Sequence, residues 1–235
     1  MEHTEPIHLR PTAPLAERVL LPGDPGRALA LAQLLIEQPK MFNHHRGLWG
    51  YSGLANIDGK PLSIQSTGMG GPSAAIVLHE LIALGVRRAI RVGTCGALDP
   101  SLELGDLVLA RKAIAADGTS SLLSGATRTH AHSGLFERLS ESVRSAHRGT
   151  IVSTDLFYEY GADRRASWSA QGAIAVEMEA SALFAVGERA GIEVACLLAV
   201  SDTFDAGGAR TRIDDHDLLA AAETMGRAAA AALAE

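Results

Sequence analysis

Short apolar runs alternate along the chain with longer amphipathic segments, a rhythm that is typical of βαβ folds. The short runs predict strands at Arg18–Leu21, Leu62–Ser66, Ala89–Val92, Leu107–Ala110, Thr150–Ser153, Ile174–Glu177 and Val194–Val200. The amphipathic segments predict helices at Gly26–Glu37, Ser73–Leu84, Leu135–His147, Met178–Ala190 and Asp215–Leu233. The polar segment Asp117–His132 is expected to be a loop or a lid. The sequence contains no repeat and no long linker, so residues 1–235 are expected to form one α/β domain.

The composition is that of an ordinary globular chain, and it narrows the choice of partners. Of the 235 residues, 47% are hydrophobic and 20% are charged, and the formal net charge is −6. No basic run is present, so we do not expect nucleic-acid binding, and an anionic substrate would need a local cluster of arginines. No apolar run reaches the roughly 20 residues that span a bilayer, so we expect no membrane partner.

The cysteines and the start of the chain bear on the compartment. Cys95 and Cys196 lie in apolar stretches without metal-ligand spacing, which favours a reducing compartment over a disulfide scaffold. Met1–Pro14 shows no basic segment followed by an apolar one, so no signal peptide is predicted. These observations together predict a cytoplasmic location.

Residues with unusual chemistry follow four of the predicted strands. The segments at these positions are Gly23–Arg27, Gly93–Gly96, Glu177–Glu179 and Ser201–Asp202. Ligands in α/β sheets gather beyond the carboxyl ends of the strands, so these segments are expected to share one edge. Glycine turns, an arginine, a hydroxyl and carboxylates at one edge predict a site for an anion together with a polyol.

Each segment also has a plainer explanation. Gly23–Arg27 is compatible with a simple strand-to-helix turn, since it lacks the Gly-Lys-Ser/Thr ending of a phosphate-binding loop. Glu177 and Glu179 suit the positive end of a helix, and Ser201–Asp202 alone is more typical of a helix cap. Arg91 is harder to explain in this way, because a cation inside a buried strand needs a partner or a ligand.

Two further features give only weak indications of function. His44 and His45 suggest a metal site only faintly, because no third ligand stands at a suitable spacing. Met69, between glycines, is compatible with a side chain that fills a gap in the core. Neither feature changes the prediction of an anion and polyol site.

Taken together, these segments resemble the trimeric-to-hexameric nucleoside phosphorylases, a family that includes bacterial purine nucleoside phosphorylase and uridine phosphorylase. The resemblance extends from about Ile7 to Asp202. It rests on LLPGDPGRA (Leu20–Ala28), NHHRGLWGYSG (Asn43–Gly53), TGMGGPSA (Thr67–Ala74), IRVGTCGA (Ile90–Ala97), STDLFY (Ser153–Tyr158), VEMEAS (Val176–Ser181) and VSD (Val200–Asp202). The fold that this resemblance implies is a three-layer α/β/α arrangement around a central mixed β-sheet.

The resemblance also implies roles at the phosphate and ribose ends of a pocket. The implied phosphate ligands are Gly23, Arg27, Arg91 and Thr94, with Arg46 supplied by a neighbouring subunit. Guanidinium groups, a backbone N–H and a hydroxyl suit a phosphate dianion, so this set is physically reasonable. The implied ribose contacts are Glu179, Met178 and Met69, with His8 reaching the 5′-hydroxyl of the substrate in a neighbouring subunit.

At the base end the resemblance implies an acid and a set of lining residues. Asp202 is the implied acid, with Arg210 or Arg212 behind it. We favour Arg210, although the spacing after Asp202 departs from the family pattern and leaves the choice open. The implied base contacts are Cys95, Gly96, Phe157, Val176, Ser201 and Asp202.

The implied activity is phosphorolysis of purine ribonucleosides or deoxyribonucleosides, with inorganic phosphate as co-substrate, no cofactor and no metal. The implied assembly is a homo-oligomer, a hexamer built as a trimer of dimers. Uridine phosphorylase is the alternative, but those relatives carry a Gln and an Arg just after the position of Phe157, and Phe157–Gly161 contains neither. A nucleosidase that uses water would leave the arginines without a purpose. A non-catalytic nucleoside-binding relative is disfavoured because the phosphate and ribose residues are all present.

Overall fold

The computed structural model describes residues 5–158, 161–205 and 208–234. Its strands are β1 Arg18–Leu21, β2 Ile36–Asn43, β3 Gly50–Ala55, β4 Pro61–Gln65, β5 Arg88–Ala97, β6 Leu107–Ala116, β7 Arg128–His130, β8 His147–Thr154, β9 Ala173–Glu177, β10 Glu193–Phe204 and β11 Arg210–Arg212. Its helices are α1 Pro25–Leu35, α2 Gly71–Ala83, α3 Gly118–Ser124, α4 Ser133–Ser142, α5 Ala162–Ala170, α6 Ala180–Ala190 and α7 Asp215–Ala234. Residues 1–4 at the start of the chain, and Glu159 and Tyr160 of the Phe157–Gly161 segment, lie outside the described residues.

The strands of the described residues form one mixed sheet. Its order is β11, β10, β6, β8, β9, β5, β1, β4, β3 and β2, with β7 paired to β6. The long strand β10 also pairs in parallel with β5. The strands β5, β10, β6, β8 and β9 therefore close into a ring, because β9 pairs back to β5.

Helices cover both faces of the sheet, as the predicted α/β/α layering requires. One layer contains α1, α4 and α7, and the other contains α2, α3 and α6. Strand β10 shows why both faces need a cover. Ala195, Leu197 and Ala199 point into the first hydrophobic core, whereas Cys196 and Leu198 point into the second. Because successive side chains of a strand alternate between faces, an apolar strand of this kind is buried on both sides. The predicted fold class is confirmed.

Two predicted segments are wrong in extent. The first helix ends at Leu35 and not at Glu37, and the chain continues directly as β2. Pro39 lies within that strand, where an edge position tolerates a residue without an N–H. The predicted loop Asp117–His132 contains α3 and β7. Asp117 caps α3 by accepting a hydrogen bond from the N–H of Ser120, and Gly125 ends the helix in the left-handed conformation.

Smaller differences concern the ends of elements. The helix predicted as Leu135–His147 is α4, which ends at Ser142, and β8 begins at His147. The helix predicted from Met178 begins at Ala180. None of the described helices combines the length and the apolar character that a membrane span requires.

A buried ion pair ties the last helix to the sheet. Both terminal nitrogens of Arg18 donate to Asp58 at 2.7 Å, and its side chain is only 5% exposed. The same guanidinium donates to the carbonyl oxygens of Pro61, Lys60 and Leu233. This one side chain therefore joins β1, the β3–β4 turn and the end of α7.

We expect Asp58→Ala to destabilise the protein by about 3–5 kcal/mol, because it leaves the buried Arg18 charge without its carboxylate. Urea unfolding at one protein concentration measures the loss. The matched control is Glu137→Ala, which removes an exposed pair with Arg111 and should change stability by about 0.5 kcal/mol or less. Equal effects of the two substitutions would contradict the prediction.

The same pair predicts a pH dependence. The hydrogen bond from Arg18 lowers the pKa of Asp58, and this outweighs the opposing effect of burial. A carboxyl group whose pKa is lower in the folded state than in the unfolded chain stabilises the fold fully at pH values above its unfolded pKa of about 3.9. This stabilisation is lost as the pH falls through the folded-state pKa. The difference between the wild type and Asp58→Ala should therefore shrink in acid.

Candidate active site

The ends of β1, β5, β9 and β10 surround a cavity of about 420 Å³. It brings together most of the residues to which the sequence assigned a role. The predicted residues that line it are Gly23, Arg27, Met69, Arg91, Thr94, Cys95, Gly96, Phe157, Val176, Met178, Glu179, Ser201 and Asp202. The further lining residues are Asp24, Pro25, Gly68, Gly93, Thr154, Leu156, Glu177 and Arg212. The carboxyl ends of the strands therefore converge as expected, while the individual roles stay predictions.

The turn after β1 forms one wall of the cavity. Asp24 caps α1 by accepting a hydrogen bond from the N–H of Arg27 at 2.7 Å, and Pro25 occupies the first turn of the helix. The carbonyl of Gly23 accepts from the N–H of Gly68 at 3.0 Å, which joins this turn to the loop before α2. Gly68 has a φ of +73°, a conformation that glycine adopts without strain.

Arg27 lies in a cationic part of the cavity. Burial lowers the pKa of its guanidinium, and the charges of Arg91 and Arg212 act in the same direction, while Asp24 and Glu179 oppose them. Positive groups that share a partly buried space favour an anion between them. This part of the cavity is therefore suited to a dianion such as phosphate.

Arg91 is buried on β5 between two carboxylates. Its Nε donates to Glu177 at 2.9 Å, and one terminal nitrogen forms an ion pair with Glu179. Burial opposes its charge, but Glu179 and Glu177 hold the pKa of Arg91 above its usual value. Within the described part of the chain, its Nη1 is buried and has no hydrogen-bond partner. A donor of this kind is costly unless a ligand accepts from it.

Gly93 makes room for the Arg91 side chain. A Cβ atom at Gly93 would lie 2.7 Å from Cζ of Arg91, which is closer than real contacts allow. The guanidinium therefore crosses over the backbone where β5 has no side chain of its own. Arg91 and the glycine that leaves room for its side chain therefore lie two residues apart on the same strand.

The two glutamates beside Met178 have different environments. Glu177 accepts hydrogen bonds from the N–H groups of Glu179 and Ala180 and from the hydroxyl of Ser153, so it also caps the start of α6. Glu179 accepts from the N–H of Gly70 at 2.5 Å, and burial raises the pKa of its carboxyl despite the nearby Arg91. Glu179 stands between the cationic part of the cavity and Met69, where the predicted ribose would lie.

Asp202 lies near the end of β10, where the strand bulges between Val200 and Asp202. Its carboxylate accepts from the hydroxyl of Ser201 at 2.7 Å and from Nη1 of Arg212 at 3.2 Å. The Nε of Arg210 is 4.0 Å away. The alternative that Ser201–Asp202 caps a helix is wrong, because the strand continues through both residues.

The base end of the predicted site is built by strand pairing. Gly96 of β5 pairs with Val176 of β9, which places Cys95 and Val176 on adjacent strands. Cys95 is buried, and burial raises the pKa of its thiol, so it is an apolar surface and not a nucleophile. Phe157 is 38% exposed at the rim. An apolar wall beside one carboxyl group suits a flat heterocycle.

Three predicted site residues do not line the cavity: His8, Arg46 and Arg210. Nδ1 of His8 is 2.7 Å from Glu80, which also accepts from three successive backbone N–H groups at Ile7–Leu9. Arg46 is exposed in a short turn with a φ of +58°. The ring of His45 contacts the carbonyl oxygen of His8 at 3.0 Å, so His8 and the turn that carries Arg46 share one surface.

The structure does not support the weak indication of a metal site at His44 and His45. Among the residues that the structure describes, the one grouping of potential metal ligands is Asp214, His216 and Asp217, all exposed. This grouping includes neither His44 nor His45.

The family model described as the phosphorylase superfamily matches residues 17–235. The chain belongs to this superfamily. Relatives named purine nucleoside phosphorylase DeoD-type are identical to it at over a third of the aligned residues. That of Clostridium beijerinckii is 38% identical over 86% of this chain and 87% of its own length. The relative from Alkaliphilus metalliredigens is 36% identical over 84% of this chain and 87% of its own length. The relative from Caldanaerobacter subterraneus is 36% identical over 83% of this chain and 86% of its own length. The predicted resemblance is confirmed.

Proposed function

We propose that this superfamily member is a purine nucleoside phosphorylase. It transfers the ribosyl or deoxyribosyl group of a purine nucleoside to inorganic phosphate, giving the free base and a pentose 1-phosphate. One observation carries the proposal: a single cavity is lined by Arg27, by Arg91 with its partner Glu179, and by Asp202 with its partner Arg212. The relatives that bear this enzyme name support it.

The arginine end accommodates the phosphate. Arg27 and Arg91 offer charge-assisted hydrogen bonds, the Thr94 hydroxyl and the N–H of Gly23 complete the cradle, and Nη1 of Arg91 gains an acceptor. Glu179 accepts hydrogen bonds from the 2′- and 3′-hydroxyls, with Met69 and Met178 against the sugar. Phosphate, sugar and base are then fixed in one pocket, which removes the entropy cost of their encounter.

Charge separation in the transition state explains the two ends. Cleavage of the glycosidic bond leaves positive charge on the ribose and negative charge on the departing base. The phosphate stabilises the first charge and captures the sugar, while the carboxyl group of Asp202, which must carry a proton when the base departs, gives that proton to N7 of the purine and neutralises the second. Either Arg212, which bonds to Asp202, or Arg210 supports this transfer. Phosphate is a co-substrate, and we propose no cofactor and no metal.

The proposed active assembly is a homo-oligomer, a hexamer built as a trimer of dimers, of single-domain subunits in the cytoplasm. The reason is that His8 and Arg46 belong to the predicted site but do not line this chain's own cavity, and they lie on a shared surface. Each subunit would supply these two side chains to its neighbour, so that the smallest active unit is a dimer.

We expect two inactive variants to restore activity to each other. A mixture of His8→Ala/Arg46→Ala subunits with Glu179→Ala subunits, unfolded and refolded together, should form some hybrid sites that carry no substitution. Phosphorolysis before and after mixing measures the recovery, and each variant refolded alone is the control. A fully active monomer in sedimentation and assay would contradict the shared site.

One assay tests the proposed function. Inosine, adenosine and uridine are incubated with the protein, with and without phosphate, and free base and pentose 1-phosphate are measured. Release of purine base that requires phosphate supports the proposal. Preference for uridine points to uridine phosphorylase, base release without phosphate points to a nucleosidase, and no turnover points to a binding protein.

A further inference from the structure

Aromatic rings and guanidinium groups alternate at the base end of the cavity. The guanidinium of Arg210 lies 4.6 Å from the ring centre of Phe157 and 5.6 Å from that of Phe204. The guanidinium of Arg165 lies 4.6 Å from the same Phe204 ring. We call Phe157, Arg210, Phe204 and Arg165 the ring–arginine stack. Its first member lines the cavity, and its last belongs to α5.

The fold fixes Phe204 at the centre of this stack. Phe204 is the last residue of β10 and pairs across the hairpin with Arg210 of β11. On the cavity side it packs on Gly96, where a Cβ atom would lie 3.1 Å from its ring. The glycine lets the ring approach the floor of the base end. Phe204 therefore links Gly96, which lines the cavity, to Arg210 on the neighbouring strand.

The stack explains how Arg210 is held close to Asp202. Arg210 belongs to a strand of three residues at the sheet edge, where a long side chain has many rotamers available. Its side chain is nevertheless only 29% exposed, against 58% for Arg212 on the same strand. Attraction between a guanidinium and an aromatic face is strongest when both are partly removed from water. Two rings face Arg210, and its Nη2 donates to the carbonyl oxygen of Phe157 at 3.5 Å, so these contacts together place it beside Asp202.

We propose that Phe204 and Arg165 are positioning residues, which hold Arg210 beside the carboxyl group of Asp202. Phe204 supplies an aromatic face to Arg210, and Arg165 fixes that ring from α5. The proposal rests on the proposed function, since it assigns to Arg210 a part in the departure of the base. Neither Phe204 nor Arg165 needs to contact the substrate.

The expected signature is a loss of turnover without a loss of phosphate binding. Misplacement of a supporting group by about 1 Å can cost on the order of 100-fold in rate, so Phe204→Leu should lower kcat by roughly 10- to 100-fold. The KM for phosphate should stay unchanged. Phe204→Tyr keeps the aromatic face and should restore most of the turnover. Arg165→Met should lower kcat in the same direction by a smaller factor, and Arg165→Lys should recover part of it.

Double variants separate positioning from a general effect on the fold. In an Arg210→Met background, neither Phe204→Leu nor Arg165→Met should lower kcat further, because the group that they position is gone. Arg111→Met removes a guanidinium from the ring of Phe136, at 4.2 Å, and is the matched control, with unchanged kcat expected. If Phe204→Leu fails to fold, the Arg165 variants carry the test.

The outcomes distinguish the two proposals. A wild-type protein without phosphorolysis would refute the proposed function. Given an active wild type, independent losses that multiply in the double variants would overturn the positioning role alone, as would an Arg210→Met variant with full turnover.

Discussion

Asp202→Asn is expected to lower kcat/KM for adenosine by about 10³–10⁴-fold and for inosine by about 10²-fold, the range that general acid catalysis spans. A 6-aminopurine cannot easily move negative charge onto its substituent, so its departure depends on a proton at N7. A 6-oxopurine places that charge on O6 and accepts help from a neutral donor such as an amide. The asparagine side chain supplies this neutral donor in the place of the carboxyl group.

The measurement compares both nucleosides at saturating phosphate in the wild type and the variant, after circular dichroism has shown that the variant folds. Asp205→Asn is the matched control, because within the described residues its carboxylate accepts a hydrogen bond from the N–H of Ala209 in the same hairpin and does not line the cavity. Equal losses for adenosine and inosine would mean that Asp202 positions the base without protonating it. No loss for either would remove Asp202 from the site.

Arg91→Met is expected to act on both phosphate use and stability. Loss of a charge-assisted hydrogen bond of about 1.5–3 kcal/mol should raise the KM for phosphate by roughly 10- to 150-fold. The substitution also leaves Glu177 and Glu179 buried without their cation, and removing one partner of a buried pair costs about 3–5 kcal/mol. Nucleoside binding should change much less than phosphate use.

Steady-state kinetics with varied phosphate and urea unfolding check the two effects separately. The loss of stability should shrink in acid, because Glu179, whose pKa burial already raises, then takes up a proton. Arg88→Met, at the other end of β5, is the control for a lost arginine on the same strand. A folded Arg91→Met variant with the wild-type dependence on phosphate would refute the assignment of Arg91 as a phosphate ligand.

Hydrophobic periodicity predicted the alternating strands and helices of an α/β fold because these depend on local pattern, whereas the three-layer arrangement was implied by the family resemblance. The run from Val194 to Val200 suits a strand covered on both faces, and β10 has that burial. The closure of the strands into a ring was not predictable in this way, since it depends on pairings such as that of β9 with β5, far apart in sequence. The helix α3 was missed although its signals, Asp117 before it and Gly125 after it, were present.

The site was predictable where its residues follow the ends of predicted strands, because ligands in α/β sheets gather beyond those ends. Gly23, Thr94, Glu179 and Asp202 are of this kind, and they line one cavity together with Arg91, which lies inside β5. The sequence could not choose between the two arginines after Asp202. Their distances to its carboxylate depend on the β10–β11 hairpin, in which Asp202 pairs with Arg212. The packing of Phe204 beside Arg210 was equally hidden, since it depends on the same hairpin, and Arg165 lies on α5, which was not predicted.

The closed ring of strands separates the predicted site residues into two groups, those on the ring and those outside it. Arg91, Thr94, Cys95, Val176 and Asp202 lie on β5, β9 and β10, whose backbones have bonded neighbours on both sides over much of their length. Dipoles that are already in place when the reaction begins need no reorganisation during it. The N-terminal segment, the turn after β2 and the edge strand β11 carry His8, Arg46, Arg210 and Arg212 outside that ring. The proposed phosphate and base contacts on the ring are therefore preorganised by the sheet, whereas these four side chains stand on segments outside it.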